Sequence, residues 1–161
     1  MKQHVLTRQV WLPHPPRAIF SFFERPENLA WLTPPSLGFR LLTPAVAMGE
    51  GAMFEYSIRL LAIPVRWTSL IDSYDPPWSF SDLQIRGPYS FWRHEHRFEP
   101  KDGGTLATDE VRYRLPLEPL GRLALPLVSW QLDRIFRFRR EAIRAVFPED
   151  ESRGRGGVLR G

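Results

Sequence analysis

The chain contains no cysteine in 161 residues, which excludes a disulfide framework, thiol nucleophiles and thiolate metal sites. No apolar run approaches the roughly 20 residues that a bilayer-spanning helix requires. The opening Met1-Lys2-Gln3-His4-Val5-Leu6-Thr7-Arg8 lacks the apolar centre of a secretory leader. A soluble, cytoplasmic protein is therefore expected. A phosphate-cradling glycine loop is missing too: Gly49-Glu50-Gly51 is too short and sits between strand-like runs. Neither Ser69 nor Ser129 has a triad pattern around it, so no nucleophile motif is present. No transmembrane segment, cofactor or metal is expected.

Basic excess is scarcer than a net charge of +4 suggests, because the segment from Arg153 to Gly161 supplies three arginines and no acid. Elsewhere basic residues are interleaved with acids, which argues against a nucleic-acid surface. No repeat or low-complexity tract interrupts the sequence before residue 148, so residues 1–147 read as one domain and 148–161 as a disordered basic tail. What is abundant is aromatic bulk. Six Trp and eleven Phe favour a structure with a large concave or enclosed apolar surface.

Periodicity divides the domain. Residues 2–12 read as a strand; His14-Pro15-Pro16 opens a helix carrying Ile19, Phe20, Phe22 and Phe23, and a second short helix starts at Arg25-Pro26 and ends at Pro34-Pro35. Six strand-like runs come next, at about 38–43, 51–61, 64–75, 78–86, 89–100 and 104–115, separated by Gly and Pro turns. Short connections imply successive antiparallel hairpins. From about residue 120 to 147 a long amphipathic helix is expected, with Leu123, Leu127, Trp130, Ile135, Phe138, Ala142 and Val146 as its apolar side and Arg122, Arg134, Arg137, Arg140 and Arg144 opposite. The class is α+β: a seven-stranded antiparallel sheet covered by the C-terminal helix.

The run from Trp92 to Glu99 alternates without a break, placing Trp92, His94, His96 and Phe98 on one face and four charged residues on the other. The chain has four histidines, and two stand side by side on the face that should be buried. The next strand is reached through a tight turn. With Asp102-Gly103 as the turn, His96 lies opposite Asp109; with Gly103-Gly104, Phe98 does, and Glu95 meets Arg112 while Arg97 meets Glu110. Cross-strand charge favours the second. In both registers Asp109, Val111, Tyr113 and Leu115 share the histidine face.

Three readings of this cluster are open: a structural polar network, recognition of the polar end of an apolar ligand, and catalysis or metal binding. A His-x-His pair could hold zinc, but a third ligand is not evident; Asp82 is the nearest, its face depending on the length of the Gly87-Pro88 turn. Candidate ligand-binding residues are Phe54, Tyr56, Trp67, Trp92, His94, His96, Phe98, Asp109 and Tyr113; His94, His96 and Asp109 are the candidates for catalysis. Trp31 and Phe39 flank a loop at 33–38 that is either a lid or an anchored surface loop.

The motifs Gly87-Pro88-Tyr89, Trp92-x-His94-x-His96-x-Phe98, Gly104-Thr105, Asp109-x-Val111-x-Tyr113 and Leu115 to Gly121 together resemble a bacterial single-domain branch of the START-related SRPBCC superfamily, which includes lipid-transfer domains, pollen allergens and polyketide aromatase/cyclases. The resemblance spans residues 1 to about 147. It implies a helix-grip fold, with a curved sheet wrapped around the long helix and an apolar cavity between them. It further implies a lipid, isoprenoid, polyketide or aromatic ligand. Its alternatives are a cyclase/dehydratase using His94, His96 and Asp109, or an interaction protein with a filled core.

Overall fold

Pro15 and Pro16 set the first helix. Proline has its φ fixed near the helical value and lacks an N–H that a first turn would leave unpaired, and α1 runs Pro16–Phe23 with proline in its first turn. Pro26 forces Arg25 into an extended conformation (φ −100°, ψ 110°), which ends that helix. A short 3-10 turn at Pro26–Ala30 and another at Pro35–Leu37 lead from it toward the sheet. The computed structural model describes residues 2–44, 47–60, 62–117 and 121–149, with the side chain of Arg122 left aside. The tail expected over 148–161 lies outside the described residues from position 150 onward.

Seven strands make one sheet: β1 His4–Leu12, β2 Arg40–Leu41, β3 Met53–Leu60, β4 Ile63–Asp75, β5 Ser79–Arg86, β6 Phe91–Lys101 and β7 Gly104–Arg114. Their order is β1-β7-β6-β5-β4-β3-β2, every neighbour antiparallel. The long helix α2, Gly121–Val146, completes the α+β helix-grip arrangement. No helix among the described residues is long and apolar enough to cross a membrane. Phe20 of α1 packs edge-on against Phe80 and Phe98, ring centroids 5.7 Å away in each case. This clamps α1 onto the concave face at one end of the sheet.

Two expectations are corrected. The β6–β7 turn is Asp102-Gly103, so His96 pairs with Asp109, Glu95 with Glu110 and Arg93 with Arg112. Both turn residues adopt positive φ, 49° and 76°, as a two-residue hairpin matched to strand twist requires. The like-charge pairs are relieved by neighbours two residues along the same strand and by one diagonal contact. Glu110 lies between Arg97 and Arg112, at 3.5 and 2.7 Å, and Glu95 between Arg93 and Arg97, at 3.3 and 3.4 Å. Arg93 also reaches Asp72 at 2.8 Å. Cross-strand preferences of ~0.2–1 kcal/mol do not override the turn when each charge finds an opposite charge nearby.

The second correction is the face of α2. Leu123, Leu127, Trp130 and Val146 are exposed, whereas Leu132, Phe136, Arg139 and Ile143 are buried. The buried stripe advances by four, three and four residues, the helical period, but it contains a charge. The expected apolar side left Arg139 unassigned; of its members Ile135 and Ala142 do pack against the core, while the centre of the buried face lies beside them.

Gly104 opens β7 because β1 crosses it closely: a Cβ there would sit 2.3 Å from the Leu12 carbonyl oxygen and 2.8 Å from the Trp11 ring. Thr105 beside it is fully buried and donates its hydroxyl to the His14 carbonyl at 2.6 Å. The Gly-Thr motif thus fastens the β1-to-α1 corner to β7.

Candidate functional site

Directly opposed residues in an antiparallel pair point to the same face. Asp82 on β5 pairs with His94, and His96 on β6 pairs with Asp109, so four polar groups converge on the concave side of three adjacent strands. The turn between β5 and β6, undecided from sequence, places Asp82 inward. On the other flank, Ser69 of β4 donates to Asp82 Oδ1 at 3.1 Å. From α2 above, Arg139 brings its Nε to 3.3 Å from Asp109 Oδ2, and its guanidinium lies 5.1 Å from the centroid of the Phe23 ring.

The imidazoles are held on two sides. Asp109 Oδ1 lies 3.0 Å from His94 Nε2 and 2.7 Å from His96 Nδ1, the latter contact bent away from a directed hydrogen bond. Asp82 Oδ2 lies 3.9 Å from His94 Nδ1 and 3.8 Å from His96 Nε2. Phe80 stacks on His96 at 4.4 Å, and Phe136 presents its ring to His94 at 5.6 Å and 70°. Aromatic walls therefore fix both ring planes.

Burial pushes the His94 imidazole down to about 4, with His96 adding to it, against the pull of Asp109 and Asp82. Burial works the same way on His96, but contact with Asp109 and Asp82 outweighs it and raises that ring above its usual value. For Asp109 burial opposes the charge, and Arg139 with the two imidazoles more than reverses it, holding the carboxyl well below the usual range. Asp82 is likewise lowered, burial being outweighed by His96, His94 and Ser69. The two rings are thus coupled, His96 taking up a proton more readily than His94.

A consequence can be measured in chelator-treated protein. The His96 contribution to stability is fully present below its unfolded pKa and fades as pH rises through its raised folded value. His94 acts oppositely. Its folded form resists the proton that the unfolded chain takes up, so stability falls as pH drops from about 6.5 toward 4. NMR titration of the histidine ring protons is expected to show one buried ring titrating near 4 and one above about 6.5. Two buried rings titrating together near 6.5 would mean that the cluster is open to water.

A cavity of about 140 Å³ lies between this cluster, α2 and the segment 25–39. Of the candidates named from sequence, Phe54, Tyr56, Trp67, Trp92, His94 and His96 line it. Phe98 and Asp109 instead border a second cleft of about 250 Å³, between α2 and the β1–β7 edge. Tyr113 borders neither; it packs against Tyr89 and Trp92, 5.7 and 6.1 Å away. Phe39 reaches the cavity and Tyr56 (5.2 Å), while Trp31 is 69% exposed and does not. Sequence reasoning missed Arg139 and Phe136, which line both spaces together with Phe23. The signal for them was the 132, 136, 139, 143 spacing.

No protein-family model matches the sequence, and no curated protein matches it significantly. Solved structures do match. Protein Ms6760 from Mycobacterium smegmatis is 19% identical over 88% of this chain and 89% of that one, with a TM-score of 0.65. A START superfamily protein from the same organism is 10% identical over 89% and 99%, at 0.66. Ginseng major latex-like protein 151 from Panax ginseng is 14% identical over 91% and 99%, at 0.65. With this architecture and these likenesses together, the chain has the helix-grip fold of the START-related SRPBCC proteins.

Proposed function

We propose that the protein binds a small hydrophobic molecule carrying one polar group, in the cavity between sheet and α2, as a cytoplasmic binding protein. The observation that carries this reading is the cavity's asymmetry. Phe54, Trp67, Ile71, Trp92, Leu132 and Phe136 form apolar walls, and Ser69, Asp82, His94, His96 and Arg139 gather at one pole. Ligand sites are largely apolar with a few placed polar groups. One buried donor among these linings, Trp67 Nε1, has no hydrogen-bond partner, and a ligand oxygen would satisfy it.

Size narrows the ligand. A cavity of about 140 Å³ is on the scale of one that admits a single benzene ring, ~150 Å³, and below the ~300–1,000 Å³ usual for drug-sized ligands. A compact aromatic or short isoprenoid with a hydroxyl or carbonyl fits best; a lipid or polyketide requires segment 25–39 to move outward. The same volume weighs against a solidly filled core.

A second reading has one specific support. His94, whose ring resists a proton, stands beside His96, whose ring holds one more tightly, with Asp109 shared between them, and such a pair supplies the base and acid that an enolisation or dehydration needs.

Native mass spectrometry of the purified chain, followed by extraction and identification of what it carries, tests the binding reading. Recovery of one small apolar molecule per chain supports it. Finding none, with no quenching of Trp67 and Trp92 fluorescence across a panel of small phenols and isoprenoid alcohols, would sink it. Turnover lost in His94→Gln with binding kept would favour the enzyme.

A further inference from the structure

The polar cluster has two unequal sides. Toward Asp109 the nitrogen–oxygen distances are 3.0 and 2.7 Å, with no room for anything between. Toward Asp82 they are 3.9 and 3.8 Å, too long for hydrogen bonds. Asp82 uses Oδ1 to accept from Ser69, which leaves Oδ2 turned to both rings. One donor atom from each of Asp82, His94 and His96 lies within 4.8 Å of the others. We propose that Asp82 Oδ2, His94 Nδ1 and His96 Nε2 bind one divalent first-row transition-metal ion, with its remaining positions open to the cavity.

Three physical points carry this. The first is spacing. Donors bound at ~2.0–2.1 Å around a tetrahedral ion stand about 3.4 Å apart, so the two gaps to Asp82, 3.9 and 3.8 Å, close with inward shifts of a few tenths of an ångström per side chain. The two imidazole nitrogens, within 4.8 Å of one another, have the larger shift to make. The second is the outer shell. A metal-bound imidazole almost always gives its other ring N–H to a carboxylate, and a bound carboxylate is itself hydrogen-bonded. Here a single carboxylate, Asp109, faces the far nitrogen of both rings, and Ser69 holds Asp82. Arg139 in turn faces Asp109.

The third is donor chemistry and charge. Two imidazoles and one carboxylate with no thiolate suit zinc or iron(II) rather than copper(I) or calcium, and open positions beside such a set are typical of reactive ions. The pole holds two carboxylates and one guanidinium, the latter paired with Asp109, so Asp82 is left without a cation when the rings are neutral. The competing occupant is a proton: an imidazolium at His96 held between two carboxylates uses the same residues and excludes a metal. The inference goes beyond ligand binding and does not depend on it, because the ion is assayed alone.

The test uses the full chain, stripped with chelator and dialysed, then titrated with zinc chloride and separately with cobalt chloride. Calorimetry is expected to give one equivalent per chain, and cobalt to give visible absorption bands of a nitrogen–oxygen site. Asp82→Asn and His96→Gln should abolish that binding, and Asp109→Asn should weaken it by about 10–100-fold with stoichiometry unchanged. If those variants do not fold, the wild-type chain still decides through NMR. Cobalt should then shift the ring protons of His94 and His96 and leave those of His4 and His14 in place. No saturable binding, binding unchanged in Asp82→Asn, or shifts confined to His4 and His14 would each overturn the proposal.

Discussion

Replacing Asp109 by leucine is expected to cost the protein about 3–5 kcal/mol of stability, the range found when one partner of a buried ion pair is removed. The reason lies in what stays behind. The Arg139 side chain is only 8% exposed, and Asp109 is the carboxylate within salt-bridge distance of it among the described residues. Its loss strands a buried guanidinium and also removes the shared partner of His94 and His96. Arg139→Met should cost less, since the carboxylate it leaves still faces two imidazoles. The double variant Asp109→Leu, Arg139→Met should recover much of the loss, because a buried ion pair replaced by well-packed apolar side chains is often close to neutral. Urea unfolding with an unchanged m-value isolates the effect. A loss below about 1 kcal/mol for Asp109→Leu would mean that solvent already reaches the pair.

Phe136→Ala is expected to be nearly as damaging, at about 3–5 kcal/mol, and it adds a gain of capacity. Phe136 is 5% exposed and forms part of the partition between the central cavity and the outer cleft of about 250 Å³. Truncation to a methyl joins the two spaces. The variant should therefore bind apolar molecules too large for the wild type. Such a ligand at 100 times its Kd should restore about 2.7 kcal/mol of stability. Paired unfolding curves with and without a bicyclic aromatic alcohol check both parts. A destabilised variant whose size preference is unchanged would show that the two spaces do not communicate there.

These two positions mark the limits of what the sequence discloses. The inward face of β6 was legible because strand periodicity is two and the alternation from Trp92 to Glu99 is unbroken. That Asp109 shares this face was equally secure, since both plausible turns preserve parity. The register itself was not secure. It hinged on the choice between two adjacent turns, and the electrostatic argument considered only residues directly opposite. In the folded sheet Arg93 finds Asp72 two strands away, outside the β6–β7 hairpin, and Glu110 finds Arg97 on the diagonal within it. Asp82 could be placed only through the geometry of the Gly87-Pro88 turn. Arg139 was hidden for a different reason. One of three arginines within Arg137-Phe138-Arg139-Arg140 has no mark of burial in the sequence, and its burial is explained by a carboxylate on another element, Asp109. Leu123, Leu127 and Trp130 misled in the opposite sense, being apolar yet exposed.

The pairing of β1 with β7 bears on the order of assembly. His4 pairs with Tyr113 and Leu12 with Thr105, so the sheet closes across a loop on the order of 100 residues, a slow step compared with hairpin formation. Asp82, His94, His96 and Asp109, by contrast, all lie in the consecutive strands β5 to β7, joined by short turns. The meander that carries both carboxylates can form from neighbours in sequence, while the guanidinium that compensates them arrives only when α2 docks. A nascent chain released before α2 is complete would hold two acidic groups against an apolar face with no counter-charge. The interior is thus electrostatically finished by a helix that leaves the ribosome after every strand it covers.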